Sequence, residues 1–388
     1  MRCDVLIVGG GPAGSTCARQ LVRAGLDVVV LDRSDFPRDK ICAGWITPQI
    51  VTSLQLDLTD YGRHWCLQPL DGFTCGLMKG ESVSVRYPQP VSYAIRRCEF
   101  DHFLLQRCGA QLRLNEALDS AERNADGWLV NKTIQARLLI GAGGHFCPVA
   151  RLLGATIGSR EPAIYAQEVE FKMTAEQAAT CSVDPRQAEL YFCDDLSGYA
   201  WCVRKGDYLN VGLGREDNNG LGTLLRQFWS SLAQRHTLPQ DLPLRFKGHA
   251  YLLYNQSHRD IVMDQCLLVG DAAGLASPHS GEGIRPAVES ALLAAQVIGD
   301  AQGDYSTSSL QRYEGQLRER FGARPRAHAA SAGWLAPVRQ SIGRQALRHE
   351  WFARHVLLDR FFLHRKTPAL SAVHPGVIHD AFGSHRYG

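Results

Sequence analysis

The chain has 388 residues, enough for two or three domains at roughly 150 residues each. With 45% apolar and 21% charged residues, it has the composition of a folded globular protein rather than a disordered or fibrous one. Lys plus Arg number 42 against 39 Asp plus Glu, a balance that excludes the basic footprint of a nucleic-acid binder. The twelve cysteines contain no CxxC pair and lie scattered in apolar contexts. They read as free thiols in a reducing compartment, with no metal site expected. The N-terminus enters a strand without a basic leader, and no apolar run reaches the roughly 18 residues that span a bilayer, so a cytoplasmic protein is expected.

In chain order, Cys3–Val8 reads as a buried strand, followed by a glycine turn, a helix through Ala13, Cys17 and Leu21, and a second strand over Asp27–Leu31. That βαβ opening predicts a parallel sheet. A helix near Pro48–Leu56, short strands between Gly72 and Ala94 and a helix over Glu99–Cys108 follow, then strands at Trp128–Val130 and Ile134–Ile140. Longer β-like runs, Ala163–Lys172, Ala188–Cys193, Tyr199–Val203 and Tyr208–Leu213, predict an antiparallel sheet. A helix over Leu221–Gln234, strands at Leu244–Leu252 and Cys266–Val269 and a long helix over Ile284–Gln302 come next, and the remainder is helical and Arg-rich.

The fold class expected is α/β with α+β: a discontinuous Rossmann-like domain (1–75, 96–160 and 260–304), a β-rich substrate domain (76–95 and 161–259) and a helical C-terminal region (305–388).

Gly9-x-Gly11-Pro12-Ala13-Gly14 lies between a strand and a helix, where glycines let a pyrophosphate approach the backbone and the helix N-terminus supplies free N–H groups. Pro12 suits an early helix position. Asp32, 18 residues past Gly14 and next to Arg33, ends the second strand and suits a ribose hydroxyl pair. A second segment, Gly270-Asp271-Ala272-Ala273-Gly274, ends another strand some 240 residues later. It leads through Ser280-Gly281-Glu282-Gly283-Ile284 into the long helix, whose N–H groups suit the pyrimidine edge of a flavin. A nicotinamide-only domain has no use for this element, so the cofactor expected is FAD.

These motifs resemble the flavoprotein monooxygenase superfamily of p-hydroxybenzoate hydroxylase-like fold, and within it the geranylgeranyl reductase family. Phe36-Pro37-Arg38-x-Lys40-x-Cys42-Ala43-Gly44 is similar to its Pro-Arg-x-Lys-x-Cys-Gly-Gly stretch, and Arg97-x-x-Phe100-Asp101 to its helix start. Tyr191, Gly198-Tyr199-Ala200-Trp201 and Asn210-Val211-Gly212-Leu213-Gly214 resemble its substrate-domain signature. The resemblance implies that Arg97 serves the FAD phosphates or ribose, and Arg38 is counted among the cofactor-binding residues. It implies that Cys42, Ala43 and Gly44 meet the flavin ring, and that Tyr191 and Trp201 line the substrate pocket.

Two departures stand out: Trp201-Cys202-Val203-Arg204 replaces the usual Trp-x-Phe-Pro, and Gly143 stands where the hydroxylases carry an Asp. The latter argues against direct NAD(P)H-dependent hydroxylation.

Cys42, Tyr191, Trp201 and Glu282 are the candidate catalytic residues, each with a plainer structural reading as buried thiol, sheet aromatic or helix cap. His279 beside the turn is a weaker candidate. Residues 339–366 hold seven Lys/Arg against two acids, interleaved with Trp351, Phe352, Phe361 and Phe362. That pattern fits either peripheral membrane contact or a helix packed on the protein.

The activity expected is hydride transfer from reduced flavin to a carbon–carbon double bond of an isoprenoid or similar long apolar substrate. The alternative is a flavin-hydroperoxide monooxygenase, or less favourably a halogenase, on an aromatic or secondary metabolite; a third is a catalytically silent flavin-binding protein. NAD(P)H, a ferredoxin, a quinol or a separate reductase is each compatible with the sequence as electron source.

Overall fold

The computed structural model describes residues 1–157, 161–238, 245–324 and 336–371. Its first sheet runs in the order Val262–Met263, Cys266–Leu268, Ile134–Gly141, Arg2–Val8, Val28–Leu31, Gln111–Arg113. From Cys266–Leu268 onward the neighbours are parallel, with Val5 opposite both Val28 and Leu138. Val5, Leu6, Ile7 and Val28–Leu31 are buried, which explains why these strands read as unbroken apolar runs instead of alternating ones. Helices Pro12–Arg23 and Ile284–Asp300 pack against each other over this sheet, and the second is buried on nearly every side. Each fully buried Leu, Ile or Val contributes about 1.5–3 kcal/mol, so this core holds the cofactor loops on a rigid base.

The second sheet runs Lys247–Leu252, Ala163–Lys172, Tyr208–Arg215, Gly198–Lys205, Gln187–Phe192, Gly72–Leu77, Ser82–Arg86. It departs from the expected purely antiparallel sheet at one pair: Gln187–Phe192 lies parallel to Gly72–Leu77. The two strands are separated by a long segment that includes the first-sheet strands Gln111–Arg113 and Ile134–Gly141, a crossover long enough to bring the chain back in the same direction.

The expected domain boundaries change in consequence. A division between 75 and 76 cuts the strand Gly72–Leu77. Ser92–Ile95 belongs instead to a small sheet with Trp45–Ile46 and Leu67–Leu70. Tyr313, from the helix Arg312–Phe321, is buried in the first domain and donates to Leu268 O at 3.0 Å. Residues 305–321 therefore complete the first core rather than opening a separate region.

The C-terminal segment Glu350–Phe352 continues into a wider π-type turn over Ala353–Phe362, which packs Leu357, Leu358 and Phe362 onto the second sheet. Tyr87 pins it there by donating to Asp359 Oδ1 at 3.0 Å. The expected strand start at Leu244, residues 158–160 of the first domain and the helical expectations for 325–335 and 372–388 fall outside the described residues. Among the described residues, no helix is long and apolar enough to cross a membrane.

Candidate active site

The first glycine loop is closed by sterics that only glycine tolerates. Gly9 has φ +114, and a Cβ there would lie 2.4 Å from Ala142 O; one on Gly14 would lie 1.9 Å from Gly9 O. Gly11 caps the helix Pro12–Arg23 without a side-chain bond, leaving its first N–H groups free for an anion. Asp32 ties this loop to the second strand: its two oxygens accept from Gly10 N at 2.7 Å and Ser34 N at 2.9 Å. Each carboxylate oxygen retains a lone pair for a ribose hydroxyl. Gly270, at φ +61, brings the distant Gly270–Gly274 segment against Ala13, joining the two cofactor motifs.

Asp101 is fully buried and takes Arg97 as a bidentate partner at 2.8 and 3.0 Å. It also draws Arg38 to 3.4 Å. Two guanidinium groups on one carboxylate leave one positive charge uncompensated beside the free helix N-terminus, the electrostatics a pyrophosphate requires. Lys40 points toward His249, with 2.6 Å between Nζ and Nε2. Burial lowers Lys40 to about 8 and holds His249 well below the ordinary histidine range, so the imidazole is neutral at pH 7.

These groups line one cleft of about 890 Å³ between the two sheets. Gly9, Gly11, Pro12, Ala13, Asp32, Arg33, Arg38, Arg97 and Gly143 line one part of it. Cys42, Ala43, Gly44, Trp201, Asp271, Gly281, Glu282, Gly283 and Ile284 line a second part. Gly14 and Gly270 act behind the surface as the steric conditions for its shape. Gly283 caps the helix Ile284–Asp300 with no side-chain bond, so a second helix N-terminus opens toward the cleft. The cleft fits FAD: two uncapped helix ends, two glycine cradles, an acid and surplus positive charge share one elongated cavity.

The remaining part is aromatic. Tyr199 and Trp201 lie on one face of their strand, with ring centroids 6.1 Å apart, and Phe362 meets Tyr199 edge-on at 5.4 Å. Gly212, opposite Trp201, makes room for the indole: a Cβ there would lie 2.2 Å from the ring. Tyr199 donates to Ser280 O at 2.5 Å, fixing the wall to the cofactor-side turn. Burial raises the Tyr199 phenol well above its ordinary value, so it stays protonated.

Tyr191 is a correction. It pairs with Ala200 in register, so its side chain projects to the opposite face from Tyr199 and Trp201. There it packs on Phe228 and donates to Glu189 Oε2 at 2.8 Å, away from the cleft. Glu282 does line the cleft, between Arg285 Nε at 3.5 Å and His364 Nε2 at 3.4 Å. His279 stacks on Phe361 at 4.2 Å.

Sequence reasoning did not single out Trp45, His249, Tyr251 or His364. The alternation of His249 and Tyr251 along one strand face was a usable signal for two of them. Phe362 belongs to the run read as either membrane contact or a helix packed on the protein, and nothing local in its segment announces a cavity wall.

Residues 4–100 match the family model described as FAD dependent oxidoreductase, and residues 106–324 match that of an FAD binding domain. The chain is 30% identical over 343 residues to digeranylgeranylglycerophospholipid reductase 1 of Methanothermobacter thermautotrophicus, covering 82% of this chain and 83% of that protein. It is 32% identical over 330 residues to the menaquinone reductase of Mycobacterium tuberculosis, covering 76% of each. Among solved structures, a geranylgeranyl bacteriochlorophyll reductase-like protein of Thermoplasma acidophilum superposes with a TM-score of 0.70 at 23% identity, covering 89% of this chain and 87% of that one.

Proposed function

Because the chain belongs to the geranylgeranyl reductase family of FAD-dependent oxidoreductases, we propose that it reduces carbon–carbon double bonds in an isoprenoid or similarly long apolar substrate. The observation that carries this reading is the aromatic part of the cleft, where Trp45, Tyr199, Trp201 and Phe362 offer a long chain apolar surface and no charged anchor of their own. Bound FAD supplies the two-electron hydride chemistry.

The protein's part is positioning and charge. The N–H groups after Gly283 would face the ring of a bound flavin and favour negative charge there, while Arg38 and Arg97 would hold its phosphates. Tyr199, anchored on Ser280 O, and Trp201, seated over Gly212, form a dry wall that holds an alkene in one orientation. Cys42, a thiol of the cleft wall, and Glu282, one of its acids along with Asp32 and Asp271, are the proposed groups for delivering a proton to the substrate.

Electrons arrive from NAD(P)H, a ferredoxin, a quinol or a separate reductase. Peripheral contact with a lipid surface is supported by Ile342 and Trp351, exposed at 64% and 69% within the basic 339–366 segment.

The test is anaerobic rapid mixing of the dithionite-reduced holoenzyme with polyprenyl substrates. The expected result is flavin reoxidation without oxygen and a product heavier by two hydrogens. No reaction with any alkene, together with a long-lived absorbance transient on mixing with oxygen, would establish the monooxygenase instead.

A further inference from the structure

Under the Cys42 loop, the second sheet carries a buried polar cluster for which hydride transfer itself has no use. Glu168, in the middle of the strand Ala163–Lys172, is 6% exposed and accepts from Cys42 N at 2.8 Å. Asn210, on the neighbouring strand Tyr208–Arg215, donates to Cys42 O at 3.2 Å and to Glu170 Oε2 at 3.1 Å. Its own Oδ1 accepts from Trp201 Nε1 at 2.7 Å. Both backbone groups of Cys42 and the indole of Trp201 are thus fixed by two adjacent strands. A sheet has no structural need to reach up and hold a loop peptide by both its N–H and its carbonyl.

We propose that Glu168 and Asn210 are positioning residues that lock Cys42 and Trp201 into one unit of the cleft wall, and that the charge on Glu168 sets how firmly this unit is held against bound FAD. The proposal rests on FAD occupying the cleft and is independent of the identity of the substrate.

The surroundings of Glu168 favour such a response. Glu170 lies on its own strand, Lys205 approaches from Gly198–Lys205, and the Cys42 peptide lies above. Lys205 is fully buried and already committed to Glu170 at 2.8 Å. Lys247, opposite Glu168 in register on the edge strand, is ion-paired with Asp39. Among the described residues no cation forms an ion pair with Glu168. Burial, opposed by Lys205 and the Cys42 N–H, pushes its carboxyl up to about 7. Above that pH the carboxylate is a strong, charge-assisted acceptor for Cys42 N; below it the neutral acid accepts more weakly, and the N–H side of the clamp loosens while Asn210 still holds Cys42 O.

The experiment is a pH titration of the visible absorbance and fluorescence of the flavin in purified holoenzyme, for the wild type and for Glu168→Gln. The wild type should show a one-proton transition centred at about 7. The variant should retain FAD and show no transition, because an amide oxygen still accepts from Cys42 N but does not titrate. An unchanged transition in Glu168→Gln, or none in the wild type, would overturn the proposal. Should the variant fail to hold FAD, infrared spectra of wild-type holoenzyme labelled with ¹³C-glutamate decide. A protonated glutamate band lost on raising the pH through about 7 supports the clamp, and its absence sinks it. A holoenzyme that shows the transition yet reduces no alkene would refute the substrate reading alone.

Discussion

The two ends of the cleft are built by different means. The cofactor end is made of backbone: glycines at special conformations, uncapped helix ends and one buried Asp101 that organises two arginines. The aromatic end is made of side chains contributed by strands and by a C-terminal segment that meet only in the tertiary fold. Backbone geometry admits almost no substitution, whereas a side-chain wall is reshaped one residue at a time. The first end therefore tolerates little change, and the second can be reshaped without disturbing the first.

The largest effect that would break this contrast lies at Gly14. Gly14→Ala puts a Cβ 1.9 Å from Gly9 O, so the turn must open. FAD content of the purified protein should fall close to zero; retention of stoichiometric flavin would show that the loop is not the rigid element described. Gly212→Ala probes the other end, where a Cβ would intrude on the Trp201 ring at 2.2 Å. Overpacking of this kind costs about 1–3 kcal/mol. The expected outcome is a raised KM for the apolar substrate with FAD content near that of the wild type, and equal loss of both would erase the distinction between the ends. The smallest effect belongs to Tyr191→Phe, which removes the hydroxyl that donates to Glu189 and costs about 1 kcal/mol of stability. Thermal melting should register that loss while turnover stays unchanged, whereas a fall in turnover would return Tyr191 to the active site.

The same contrast explains what was legible in the sequence. Gly9, Gly14 and Gly270 are readable because the constraint on each is carried by the residue itself, and Asp32 and Asp271 follow at strand ends. Alternation along Gly198–Lys205 put Tyr199 and Trp201 on one face. It left Tyr191 undetermined, because its face depends on the register with a neighbouring strand, where it meets Ala200. The boundary at 75 and 76 failed for a related reason: Gly72–Leu77 finds its parallel partner more than a hundred residues later. The basic, aromatic run at 339–366 showed its amphipathic character but not its address. Leu357 and Phe362 go to the sheet, and Trp351 remains outside.

The seat of Phe362 also bears on how the chain is made. A polypeptide emerges N-terminus first, and its domains fold as they become complete. Both cofactor motifs, and the sheet and helices that carry them, have left the ribosome before the segment Ala353–Phe362 is synthesised. Until then the aromatic slot lacks a side, and the apolar faces of Trp45 and Tyr199 that Phe362 will cover stand open to water. The segment Ala353–Phe362 thus acts during biogenesis as a closing panel: a chain that lacked it would carry a formed nucleotide cradle beside an unshielded greasy trough.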